Sequence, residues 1–133
     1  MNNHILDDMS HWNEVGYSLA LETQILERDD SELAYRFACE MSEANLERVE
    51  PIVLACQDPR LIYDFALLKS ERGGDIGLLE QRILGCDDPG LMILFAIDVE
   101  GSDHEAFRER LAIHPDPKFL HLFELELKNH GYE

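Results

Sequence analysis

Apolar residues recur along this chain at i, i+1, i+4 and i+5, the spacing of a single helical stripe. The clearest run is Leu33, Ala34, Phe37 and Ala38. It returns as Leu61, Ile62, Phe65 and Ala66, then as Leu91, Met92, Phe95 and Ala96, and last as Phe119, Leu120 and Phe123. An aspartate leads each run (Asp30, Asp58, Asp88, Asp116), and the steps between them are 28, 30 and 28 residues. Proline follows the last three. Asp-Pro reads as an N-cap and first helical residue: the carboxylate accepts from free first-turn amides, and proline loses no hydrogen bond there. These are the A helices.

A second, B helix is expected after each. Asn45, Asp75 and Asp103 stand at equivalent positions and suit its N-cap. Behind them, Val49, Leu79 and Phe107, then Val53, Ile83 and Leu111, fall at i+4 spacing on one face. Gly73-Gly74 and Gly101-Ser102 mark the A-to-B turns. The pattern also runs backward. Leu21, Ile25 and Leu26 make a B helix over Ser18 to Arg28, and Ile5, Leu6 and Met9 make an A helix capped by Asn2 or Asn3.

The expectation is therefore a single all-α domain over residues 1–133, an antiparallel helix-pair solenoid of about four and a half repeats. Its units are approximately 1–29, 30–57, 58–87, 88–115 and 116–133, nine short helices with Gly131 closing the last. Phe37, Phe65, Phe95 and Phe123 should stack in one continuous core. Pro51 conflicts with this frame, because it falls inside the second B helix. Either that helix is kinked, or it starts late near Glu50 with Pro51 as its first helical residue, and the late start is the favoured reading.

On this Asp-Pro-x-Leu-x-Tyr-x-Phe-Ala repeat the chain resembles the α-solenoid helical-repeat proteins in general architecture, the class that includes HEAT, TPR and Sel1-like proteins. The signature differs from the TPR pattern, and units of 28 to 30 residues are short for HEAT. What the resemblance implies is a binding scaffold rather than a catalyst.

Charge narrows the partners. Acidic residues number 28 and basic residues 11, a net charge of −17 in a chain of 133 residues. Direct nucleic-acid binding needs clustered Lys and Arg, and an anionic membrane surface would repel this chain. The opening Met1–Trp12 segment has no basic n-region and no apolar h-region, so a cytoplasmic location is expected. The three cysteines are too few and too scattered for a disulfide framework.

Candidate chemistry is thin. Cys56, Cys86 and His114 share one repeat position, but equivalent residues of packed helices stand about 10 Å apart and do not converge on a metal. His104-Glu105 has no nucleophile in its frame, and Pro115-Asp116-Pro117-Lys118, a faint match to a nuclease signature, coincides with a helix cap. No enzyme activity, metal or cofactor is expected. Tyr35 and Tyr63 form either an aromatic ladder or packing against the next unit, and Trp12 covers the end of the core.

Two features point to partners. Glu22, Glu50 and Glu80 share one B-helix position and should form an exposed carboxylate row, ended by Arg108 and joined by Glu47 and Asp87. Leu94 and Leu122 stand where earlier units carry Arg36 and Asp64, so they should make an exposed apolar patch with Leu125, a dimer or partner interface in the C-terminal half. The function expected is an acidic interaction module that binds and neutralises a basic protein partner, as an immunity protein or nucleic-acid-mimicking inhibitor would. The alternative is an adaptor holding a peptide or assembly partner. A decoy needs carboxylates on one face, whereas an adaptor needs an apolar or mixed groove.

Overall fold

The computed structural model describes residues 16–132. Among these the chain is all-helical, with eight helices and no strand: α1 (Leu19–Glu27), α2 (Ser31–Glu40), α3 (Leu46–Leu54), α4 (Pro59–Glu71), α5 (Gly77–Leu84), α6 (Pro89–Asp98), α7 (His104–Ala112) and α8 (Lys118–Asn129). They follow the expected order from the first B helix to the last A helix. The first A helix, with Asn2, Asn3, Ile5, Leu6, Met9 and Trp12, lies outside the described residues. No helix among those described is long and apolar enough to cross a membrane.

Asp30 and Asp88 are N-caps as the repeat predicts, whereas Asp116 stands one residue before the cap of α8, which is Pro117. Asp30 Oδ1 accepts from Leu33 N–H at 3.1 Å, and Asp88 Oδ1 accepts from Leu91 N–H at 3.0 Å. Asp58 and Asp116 accept two residues on, from Arg60 and Lys118 N–H, each at 3.0 Å. Asn45 and Asp75 also accept two residues on, from Glu47 and Gly77 N–H, while Asp103 accepts three residues on, from Ala106 N–H. Each such acceptor satisfies an amide that the helix itself cannot, worth about 1 kcal/mol.

The A helices α4 and α8 end on glycine. Gly73 (φ 77°) donates to Ser70 C=O and Gly74 to Lys69 C=O, the paired bonds of a Schellman turn. A Cβ at Gly74 would stand 2.6 Å from Cγ of the buried Lys69, so a side chain there would displace it. Gly131 (φ 79°) closes α8 in the same way, with Gly131 N–H on Lys128 C=O and Tyr132 N–H on Leu127 C=O.

Pro51 is a correction to the expected late start. Helix α3 begins at Leu46, and Pro51 sits inside it on an exposed position. Two features hold that start: Asn45 Oδ1 accepts from Glu47 N–H at 3.0 Å, and Val49 and Val53 are buried without residual exposure. Burying two valines recovers about 3 kcal/mol or more, enough to offset the hydrogen bond that proline removes.

The chain forms two compact units, one through Leu61 and one from Ile62. In the first, α1 packs on α2 and α3, and α2 on α3. Its core holds Ile25, Leu33, Phe37, Val49 and Val53, with Tyr17 tilted on Phe37 at 6.4 Å. In the second, α6 packs on α5, α7 and α8, while α7 packs on α5 and α8. Phe65, Phe95, Phe107 and Phe123 are completely buried there. The ring neighbours of Phe95 are Tyr63 at 6.5 Å and Phe107 at 5.5 Å. The four repeat phenylalanines are thus all core residues, and a B-helix phenylalanine packs among them.

Candidate functional site

The expected carboxylate row takes a different form. Glu22 has 0% exposure, and its Oε1 accepts from Asn45 N–H at 2.7 Å while Oε2 pairs with Arg48 at 2.5 Å. Arg48 also donates to Thr23 Oγ1 at 3.0 Å. Glu50 is buried as well. Glu80 Oε2 accepts from Asp103 N–H at 2.8 Å, the repeat copy of the Glu22 bond. Glu22 and Glu80 are therefore fasteners: each carboxylate satisfies the cap amide of the next B helix, where the helix dipole favours negative charge. Arg108 departs from the pattern because no B helix follows it among the described residues. It pairs instead with Glu124 of α8 at 2.6 Å and with Glu105 at 2.7 Å. Beside the Glu22–Arg48 pair the Tyr17 phenol is pushed above its ordinary value, by burial first and then by the Glu22 charge.

The turn-closing residues also have local partners. Cys56 Sγ donates to Asp58 C=O at 3.4 Å, Cys86 Sγ to Asp88 C=O at 3.9 Å, and Asp116 N–H donates to His114 Nδ1 at 3.0 Å. Burial pushes the Cys86 thiol up, partly offset by its hydrogen bond to the Asp88 backbone. Among the described residues, no three His, Cys, Asp or Glu side chains are grouped to hold a metal ion. His104 Nε2 lies 2.8 Å from Ala96 C=O and its ring meets Tyr132 edge-on at 4.6 Å. Ser102 Oγ and the Tyr132 hydroxyl donate to Ala96 and Ile97 C=O. His104 is thus part of the C-terminal cap of α6.

An open groove of about 390 Å³ lies between α6 and α8. Ile93, Leu94, Ile97 and Leu122 give it an apolar lining, and Asp98, Glu126 and His130 a polar rim. Leu94 and Leu122 keep 42% and 41% of their surface exposed, and the fold brings them together as their repeat equivalence suggests. Leu125 is exposed but does not line the groove. Glu47 and Asp87 are exposed elsewhere.

The rim has an electrostatic peculiarity. Asp98 ends α6, Glu100 follows it, and no basic residue occupies the last turn of that helix. Carboxylates at a helix C-terminus oppose the dipole, a cost of about 0.3–1 kcal/mol each. The Ser102 and Tyr132 hydroxyls donate to the terminal carbonyls there, and His104 Nε2 stands 2.8 Å from the same Ala96 carbonyl.

Sequence reasoning missed Asp98 and Glu126. Each stands ten residues after its unit's leading aspartate, and that shared position was the available signal. Comparison of the chain with protein-family models, with curated proteins and with solved structures finds no match in any of the three.

Proposed function

We propose that this protein is an α-solenoid of antiparallel helix pairs that serves as an acidic adaptor, holding a basic protein partner. The solenoid reading is supported by the 28-to-30-residue period and by three next-but-one packings, α1 on α3, α5 on α7 and α6 on α8. The observation that carries the function is the α6–α8 groove, apolar within and acidic at its rim. Burial of Glu22 and Glu50 withholds two members of the carboxylate row that a nucleic-acid decoy would present, which supports holding a partner over mimicry.

The net charge of −17 fits a basic partner, because it steers such a partner inward and repels acidic ones. The test is affinity capture from the native host, followed by reconstitution with the purified partner. A basic partner that binds one-to-one and is released by raised salt is expected. An acidic partner, or retention that ignores salt, would overturn the reading.

A further inference from the structure

We propose that the α6–α8 groove binds a basic amphipathic helix of the partner, with apolar side chains on Ile93, Leu94, Ile97 and Leu122 and a Lys or Arg on Asp98 and Glu126. The proposal rests on the adaptor reading and adds to it the place and chemistry of the ligand.

The repeat itself marks the site. One unit earlier, Tyr63 of α4 is buried and donates its hydroxyl to Asp98 Oδ2 at 2.7 Å, so a side chain of the chain's own spans the step from A helix to A helix. The repeat counterparts of that pair are Ile93 and Glu126, each displaced by 28 or 30 residues. Ile93 has no hydroxyl to give, so this bond has no counterpart at the Ile93–Glu126 position; the Tyr132 hydroxyl, past the end of α8, reaches the Ile97 carbonyl instead. At the same step the charged residues Arg36 and Asp64 give way to Leu94 and Leu122. The polar bridge is lost and apolar surface gained together, which leaves a cleft with an acceptor at its rim. Glu126 has His130 Nδ1 at 3.6 Å, a contact that is ionic only when the imidazole is protonated.

Helical form follows from backbone accounting. The groove walls are the sides of two helices, whose own amides and carbonyls are already paired. An extended segment laid there would leave its peptide groups without partners against leucine and isoleucine, whereas a helix satisfies its own. The lining runs from Gly90 to Asp98 on one wall and from Leu122 to His130 on the other. Each wall is about 12 Å long at 1.5 Å per residue, two turns of a docked helix. Charge selects the sign. Asp98 and Glu126 rim the cleft, and a second copy of this chain would bring another net charge of −17 against them.

The test uses the full chain, isotope-labelled for amide spectra, and a synthetic amphipathic helical peptide of leucine and lysine about four turns long. A twin peptide carries glutamate in place of each lysine. The lysine peptide should shift the amides of Leu94, Ile97, Asp98, Leu122 and Glu126, and the glutamate twin should not. The pair Leu94→Glu and Leu122→Glu, at positions exposed enough to keep the fold, should weaken binding about tenfold or more. The pair Asp98→Asn and Glu126→Gln keeps both shapes, and should weaken binding about threefold to tenfold and flatten its salt dependence.

Unchanged binding by both double variants would overturn the proposal. Shifts confined to acids outside the groove would overturn it while leaving the adaptor reading intact. So would failure of the lysine peptide to bind a chain that still holds its native basic partner. A concentration-dependent dimer, abolished by the leucine substitutions, would overturn it in favour of a second copy.

Discussion

Removing the Glu22 carboxylate should loosen the start of α3. In Glu22→Ala the Asn45 N–H loses its 2.7 Å acceptor, and because Asn45 is exposed, water replaces part of it. That loss is worth about 1 kcal/mol, the low end for an unmade hydrogen bond. Arg48 loses a completely buried counter-ion but keeps 36% of its side chain in solvent. The 3–5 kcal/mol expected for a fully buried broken pair therefore shrinks to about 1 kcal/mol. The sum is about 2 kcal/mol, which at an m-value near 1.3 kcal/mol/M moves the urea midpoint down by about 1.5 M.

Glu22→Gln keeps an acceptor and should lose about half as much. Reversing Glu22, Glu50 and Glu80 together to Lys should unfold the first unit, since it buries cations where carboxylates are held. Reversing the exposed Glu47 or Asp87 should move stability by less than about 0.5 kcal/mol. Urea titrations followed by circular dichroism, with amide exchange at Asn45 and Arg48, measure these. Equal midpoints for Glu22→Ala and Glu47→Lys would refute the fastener role.

The remaining expectations are brief. Phe95→Ala removes a completely buried ring that touches Tyr63 and Phe107, and should cost about 3–5 kcal/mol in the same titration. Asp29 holds φ 54° just past α1, where neither its side chain nor its charge is favoured, so Asp29→Gly should stabilise by about 0.5–1 kcal/mol. The exposed Cys39 should react with an alkylating reagent near neutral pH well before Cys86, whose raised thiol pKa leaves less thiolate; equal rates would contradict the local bonding described for Cys86.

The parts of this fold that could be read from the chain are the local ones. An aspartate cap, a proline behind it and an apolar stripe act within a turn or two, so Asp30, Asp88 and Asp103 are visible without knowing what they pack on. Glu22 and Glu80 were misread because their partners lie 23 residues away, at Asn45 and Asp103. Yet their register held the clue. A polar residue repeated beside the apolar stripe of every B helix, then exchanged for Arg108 in the last one, is the mark of a unit-to-unit contact. Pro51 is decided by burial and not by propensity, since Val49 and Val53 hold the helix through it. Leu94 and Leu122 were legible as departures from the repeat, whereas the groove also needed Ile93 and Glu126, whose meaning appears only beside the Tyr63–Asp98 bond.

The most direct measurement is hydrogen exchange on the chain with and without its captured native partner. Protection concentrated on α6 and α8, and weakened by Leu94→Glu with Leu122→Glu, is the predicted result. Protection confined to α1 through α3, with α6 and α8 exchanging as in the free protein, would contradict it.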